Sequence, residues 1–133
     1  MSASDHVNRT LFHGTGHTFS EGETIDPQEK SKNGNMMGLM FDDYKPTVYM
    51  TSNMHKAKRF AGTEARDKGL LFSQVYEVED NPDIKFVPEE LSKIGYDEQT
   101  TGQHWAKDTY YSRGSVKPKK IAAWVVNPDI EYF

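Results

Sequence analysis

A histidine at the end of a short apolar run, followed by closely spaced glycines, is the first feature of this sequence that could support chemistry. His13 stands in the stretch LFHGTG, and His17 follows four residues later. Two histidines at this spacing could share a metal ion on a helix, but Gly14 and Gly16 argue against a helix there. With no third ligand nearby in the sequence, we expect no metal site.

Two other interpretations of the same stretch lack the residues that they require. An esterase oxyanion loop would need a nucleophile in the pattern G-x-S-x-G, which the sequence does not contain. A dinucleotide-binding fingerprint needs a longer glycine pattern that opens a helix. Taken alone, His13 is therefore more often an ordinary hydrogen-bonded histidine at a strand end than part of a site.

The elements that must position these residues follow from the hydrophobic pattern. β-branched and aromatic residues predict strands at 10–13, 47–52 and 70–79, in TYYS and in KKIAAWVV. A helix with one apolar face is predicted after Asn53, which can cap it, and Gly69 ends it. The stretch PEELSKI is compatible with a further turn of helix. Several strands with one clear helix predict an α+β protein rather than an alternating βαβ array.

The second predicted strand gives the histidine a more specific meaning. The order of FHGT, the strand VYMTS and a helix bearing Phe60 and Ala61 resembles the ADP-ribosyltransferases of the H-Y-D/E type. In particular, it resembles the small rifampin ADP-ribosyltransferase family, whose members are single domains of similar length. Two later segments, SQVYEVED and YYSRGSVKPKKIAAWV, are similar to strands of that family, so the resemblance extends over roughly residues 11–126.

The resemblance implies both a fold and a reaction. The fold would be an ADP-ribosyltransferase-like split β-sandwich of two small sheets with few helices. We expect residues 1–9 to be a flexible N-terminus and residues 10–133 to form the single domain. The chain would be a transferase of the glycosyltransferase class, with NAD as co-substrate and no metal. It would cleave the nicotinamide–ribose bond, transfer ADP-ribose to an acceptor and release nicotinamide.

The resemblance also implies roles for individual residues. His13, Tyr49 and Asp97 would be the catalytic residues. His13 would hydrogen-bond a ribose hydroxyl of NAD, Tyr49 would stack on the nicotinamide ring, and Asp97 would stabilise the charge that develops on the ribose. The backbone of Gly14 would meet the carboxamide where a side chain would block approach. The other residues expected to contact NAD are Thr15, Ser52 and Phe60.

The carboxylate position leaves alternatives open. Asp97 is obtained by counting back along the chain from the proline of the late strand, and Glu98 is adjacent to it. Asp80 also follows a predicted strand, although its surroundings, DNPD, are typical of an ordinary turn. After Asp97 and Glu98, the further candidates are Asp80, Glu89 and Glu90.

An apolar, methionine-rich segment between His13 and Tyr49 is relevant to the identity of the acceptor. Flexible thioethers suit a large, irregular apolar ligand, although the segment could instead be part of the hydrophobic core beneath a loop. We expect transfer to a hydroxyl of a rifamycin antibiotic. The alternatives are a toxin or phage effector that modifies a protein or nucleic acid, and a silent module that binds NAD or ADP-ribose. Residues expected to contact the acceptor are Met36, Met37, Met40 and Phe41.

Composition narrows the class of protein further. The formal net charge of −4 disfavours a polyanionic nucleic-acid target, although Lys117, Lys119 and Lys120 cluster. The absence of cysteine excludes disulfides and a cysteine nucleophile and fits a reducing compartment. No apolar run approaches the length of a membrane span. We therefore expect a cytoplasmic monomer without a membrane partner.

Overall fold

The computed structural model describes residues 9–27, 46–93 and 107–129. Within these ranges the elements are β1 (Leu11–Thr15), β2 (Val48–Thr51), α1 (Met54–Lys68), β3 (Phe72–Val78), β4 (Lys85–Phe86), α2 (Val87–Lys93), β5 (Thr109–Ser112) and β6 (Pro118–Val126). The α+β class is confirmed, as are the predicted strands and the long helix. The two-residue strand β4 is an element that the pattern did not predict. Neither described helix is long and apolar enough to cross a membrane.

The described strands form one antiparallel sheet in the order β4-β5-β2-β1-β3-β6. The strands that carry His13 and Tyr49, β1 and β2, are therefore neighbours in the middle of the sheet. Phe12 of β1 lies opposite Thr51 of β2. The second sheet of the expected sandwich is not seen among the described residues.

Buried side chains cluster on both faces of this sheet. On one face, which we name the core face, the strands contribute Leu11, Val48, Met50, Tyr76 and Val78, which pack with Ile25, Ile84 and Val116. On the other, which we name the helix face, Phe12 and Val75 pack against Ala57 and Ala61 of α1. Because successive strand residues alternate between faces, the position of a residue in β1 or β2 decides which cluster its side chain can reach.

Helix α1 begins and ends where the sequence predicts. The side chain of Asn53 accepts a hydrogen bond from the backbone N–H of Lys56 at 3.1 Å. Gly69 ends the helix in a left-handed conformation with φ of 65°, which glycine adopts without steric cost. The small buried residues Ala57 and Ala61 line the side of α1 that faces the sheet, so the helix can lie close to β1.

Candidate functional site

The ring of His13 is fixed by the main chain of the neighbouring strand. Its Nδ1 lies 2.8 Å from the carbonyl oxygen of Tyr49. Because a carbonyl oxygen can only accept, Nδ1 must carry the proton and donate it. Burial lowers the pKa of His13 despite the opposing effects of this bond and of the Glu64 charge. The ring is therefore neutral at neutral pH, and Nε2 is a hydrogen-bond acceptor.

A cavity of about 360 Å³ opens beside His13 at the end of β1. This volume lies toward the small end of the range for small-molecule pockets, which is roughly 300–1,000 Å³. Among the described residues that line the cavity, the acidic and basic side chains apart from histidine are three carboxylates and one lysine: Glu23, Asp26, Glu64 and Lys68. Its charge therefore favours a cation or a hydroxyl donor over a phosphate.

Glu64 reaches the cavity from α1 and is anchored through one of its two oxygens. Oε1 accepts hydrogen bonds from the backbone N–H of Gly16 at 3.0 Å and from Lys68 Nζ at 2.8 Å. A longer bond of 3.4 Å comes from Thr15 Oγ1. Burial favours the protonated form of Glu64, but the bonds from Lys68 and Gly16 outweigh it and hold the pKa below its usual value. The carboxylate is therefore ionised at neutral pH.

His17 is paired elsewhere in the same cavity wall. Its Nε2 lies 2.8 Å from Glu23 Oε2, and its ring meets the edge of Phe19 with centroids 4.6 Å apart. The residues that the structure describes contain no group of three side chains suited to hold a metal ion. His13 and His17 thus lie in the wall of one cavity, but their rings have different partners: the Tyr49 carbonyl oxygen for His13 and the Glu23 carboxylate for His17.

Tyr49 adjoins His13 through its backbone, while its ring lies on the other side of the sheet. Its neighbours Val48 and Met50 belong to the core face, so strand alternation places the Tyr49 side chain on the helix face. There it lies opposite Tyr111 of β5. The structure thus joins His13 and Tyr49 by a side-chain-to-carbonyl bond.

Only some of the other residues predicted to contact NAD line the cavity. Thr15 lines the cavity together with His13, whereas Tyr49, Ser52 and Phe60 do not belong to the cavity wall. The Phe60 side chain lies on α1 and is 42% exposed. The predicted residues Asp97, Glu98, Met36, Met37, Met40 and Phe41 lie outside the described residues.

The missing side chain of Gly14 is explained by the packing of α1. A Cβ atom at this position would lie 2.3 Å from the carbonyl oxygen of Ala57 and 2.7 Å from the backbone nitrogen of Ala61. Both distances are far below van der Waals contact, and both atoms belong to the helix backbone. The bare backbone of Gly14 is therefore needed for α1 to approach β1, independently of any ligand.

Asp80, an alternative to Asp97, is engaged in a structural ion pair. Both of its oxygens accept from the guanidinium of Arg9, each at 2.8 Å, and both side chains are largely buried. Arg9 also donates to the carbonyl oxygen of Ile84 at 3.2 Å and lies over the ring of Tyr110. The pair ties the start of β1 to the turn after β3.

Asp80→Asn is therefore expected to lower the free energy of unfolding by about 1–3 kcal/mol, because it breaks a largely buried, charged two-bond contact. Any NAD turnover of the folded protein should be unchanged. Asp83→Asn, an exposed change in the same turn, is the matched control and should leave stability within about 0.5 kcal/mol. Urea denaturation measures both; an Asp80→Asn protein with normal stability and no turnover would return Asp80 to the catalytic candidates.

The pKa shifts of His13 and Glu64 predict that acid destabilises the fold. Both folded pKa values are lowered, so the unfolded chain takes up protons first as the pH falls. The contribution of His13 is complete above about pH 6.5 and that of Glu64 above about pH 4.3, and each is lost below that value. The melting midpoint should fall less steeply between about pH 6.5 and 5 in His13→Asn than in the natural protein, because the variant lacks the titrating ring.

His17, Glu23, Asp26 and Lys68 also line the cavity, and they are present in both proteins, so the difference between the two slopes reports His13. Identical slopes would contradict the assignment of a neutral His13 ring with a lowered pKa.

Sequence reasoning missed Glu64, whose carboxylate accepts three hydrogen bonds in the cavity wall. The available signal was the spacing of Glu64 and Lys68, four residues apart on the predicted helix. Such pairs are typical of solvent-exposed helix faces. Nothing in the local sequence shows that Glu64 turns toward the end of β1 to accept the N–H of Gly16.

The chain was compared with models of known protein families and with curated proteins, and neither comparison produced a match.

Proposed function

We propose that this chain binds NAD at the cavity beside His13 and transfers its ADP-ribose to an acceptor, releasing nicotinamide. The observation that carries the proposal is the orientation of the His13 ring. Because Nδ1 donates to the carbonyl oxygen of Tyr49, Nε2 is left as an acceptor for a ribose hydroxyl. The resemblance of FHGT and VYMTS to rifampin ADP-ribosyltransferases supplies the reaction class. The proposal includes the split β-sandwich of that family, of which the antiparallel sheet would be one part.

The charge of the cavity supports placing the nicotinamide end of NAD there. The nicotinamide ring of NAD is cationic, and positive charge develops on the ribose as the glycosidic bond breaks. Glu23, Asp26 and Glu64 favour positive charge at this position and disfavour a phosphate. We therefore place the nicotinamide ribose in the cavity and the pyrophosphate outside it, since a volume of about 360 Å³ suits one end of a dinucleotide.

Each residue of the site has a defined part in the proposed reaction. His13 orients the ribose, and the carboxylates favour the charge that develops on it. The bonding pair of the nicotinamide–ribose bond leaves with neutral nicotinamide, so no strong nucleophile is needed. The acceptor hydroxyl then bonds to the ribose carbon and releases its proton to solvent. Tyr49 contributes its carbonyl oxygen, which fixes the His13 ring.

The acceptor that we propose is a hydroxyl group of a rifamycin antibiotic. The length of the chain and the order of its motifs resemble the antibiotic-modifying family, and the net charge of −4 disfavours a nucleic acid. Because the reaction consumes NAD, we propose that it takes place in the cytoplasm. We also propose that the chain acts as a monomer.

Mass spectrometry identifies the acceptor. The protein is incubated with NAD and rifampin, and separately with a cell lysate and labelled NAD. We expect rifampin to gain the mass of one ADP-ribosyl unit. Label on a protein or on RNA, with rifampin unmodified, would contradict the antibiotic acceptor and leave the transferase assignment standing.

A further inference from the structure

The two carboxylate oxygens of Glu64 have different surroundings. Oε1 accepts all three of the bonds that reach this side chain, from Gly16 N, Lys68 Nζ and Thr15 Oγ1. No hydrogen bond reaches Oε2 from any described residue. Since Glu64 lines the cavity, an ionised carboxylate is held firmly by one oxygen while the other has its acceptor capacity unused.

The two ring nitrogens of His13 likewise differ in their hydrogen bonding. Nδ1 is used by the carbonyl oxygen of Tyr49, and Nε2 receives no hydrogen bond from the part of the chain that the structure describes. His13 and Glu64 line one cavity. The cavity therefore presents two anchored acceptors that receive no hydrogen bond from the described residues and can accept one from a ligand.

We propose that Glu64 Oε2 and His13 Nε2 together bind a vicinal diol, as found in the ribose of a nucleotide. A diol carries two hydroxyl donors on adjacent carbons, one for each of the two acceptors in this cavity. A carboxylate also selects a hydroxyl donor over a phosphate. The inference rests on the proposed function for the choice of NAD as ligand, and it adds Glu64 as a residue that touches that ligand.

Glu64→Gln tests this role with little change of shape. The backbone N–H of Gly16 requires an acceptor, so the amide oxygen of glutamine takes the place of Oε1. The amide nitrogen, a donor, then replaces Oε2 in the cavity. The anchor is kept, while the proposed acceptor is lost. Asp67→Asn, an exposed change on the same helix, removes a charge without touching the cavity and is the matched control.

The experiment combines this variant with hydroxyl deletions in the ligand. Calorimetry compares NAD with analogues that lack the 2′- or the 3′-hydroxyl on either the nicotinamide ribose or the adenosine ribose, which identifies the ribose that is bound. Deleting one hydroxyl of the bound ribose should weaken binding to the natural protein and to Asp67→Asn by about 10- to 100-fold. In Glu64→Gln, deleting the hydroxyl that Glu64 binds should change the affinity by less than about threefold, because its partner on the protein is already gone.

The proposal would be overturned if each of the two deletions on the bound ribose weakened binding to Glu64→Gln as much as to the natural protein. It would also be overturned if the natural protein bound every analogue equally or bound none. Should Glu64→Gln fail to fold, His13→Asn serves as the second variant. Its amide can still donate to the Tyr49 carbonyl but provides no acceptor at Nε2, so it should abolish the effect of deleting the other hydroxyl.

Nicotinamide release is recorded in the same samples to separate this inference from the proposed function. Glu64-dependent binding of the diol without release would refute ADP-ribosyl transfer and support the diol site. Release with no dependence on Glu64 or on the ribose hydroxyls would refute the diol site and support the transfer.

Discussion

Replacing Gly14 with alanine is expected to lower the free energy of unfolding by about 3 kcal/mol, at the upper end of the cost of overpacking. The new Cβ atom would lie 2.3 Å from the carbonyl oxygen of Ala57 and 2.7 Å from the nitrogen of Ala61. Because both are backbone atoms of α1, no side-chain rotation relieves the contact and the helix must move away from β1. Domains of this size are stable by about 5–15 kcal/mol, so the loss is a large share of the total.

Gly62→Ala, within α1 but facing β6 rather than β1, is the matched control. A Cβ atom there would meet Val125 Cγ1 at 3.7 Å and Pro128 Cδ at 3.8 Å, which are ordinary contacts. Since Gly62 lies inside α1, alanine should raise stability by about 0.5–1 kcal/mol through helix propensity. Urea denaturation of the two variants should therefore give changes of opposite sign. Unchanged stability in Gly14→Ala would contradict the close approach of α1 to β1.

His13→Asn is expected to lower nicotinamide release by about 100-fold or more, equivalent to roughly 3 kcal/mol of transition-state stabilisation. The asparagine amide can donate to the Tyr49 carbonyl as Nδ1 does, so the local structure is kept. The acceptor at Nε2, which would orient the ribose, is removed. Rates are measured by chromatography of released nicotinamide under saturating and limiting NAD, which separates an effect on binding from one on turnover.

His55→Asn is the control for this substitution, because His55 is an exposed histidine on α1 outside the cavity wall. It should leave both binding and turnover unchanged. A His13→Asn protein with full turnover and unaltered NAD affinity would show that the His13 ring acts only in the packing of β1 against β2.

The local structure around the site could be predicted from sequence because its determinants are local. Asn53 and Gly69 mark the ends of α1 through capping and a left-handed turn, and both were found there. The concentration of β-branched and aromatic residues in VYMT similarly specifies β2. The alternation in such strands also fixes which side chains share a face once the pairing is known.

The composition of the cavity could not be predicted, because it depends on which strands pair and on which way α1 crosses them. The sheet order brings β1 beside β2 and β3, and the helix then carries Glu64 to the backbone N–H of Gly16, 48 positions away in sequence. The close approach of Ala57 and Ala61 of α1 accounts for the glycine at position 14, which the resemblance assigned to contact with a ligand. The contact between the Tyr49 carbonyl oxygen and His13 Nδ1 likewise depends on the pairing of β1 with β2 and is not contained in the motif.

Release of nicotinamide from NAD is the most direct test of ADP-ribosyl transfer by this chain. Purified protein is incubated with NAD, with and without rifampin, beside the His13→Asn and His55→Asn variants. We expect release that continues with time, increases when rifampin is present, is unchanged in His55→Asn and is nearly abolished in His13→Asn. Absence of release from the natural protein, together with no rise in its melting temperature on addition of NAD, would contradict this expectation.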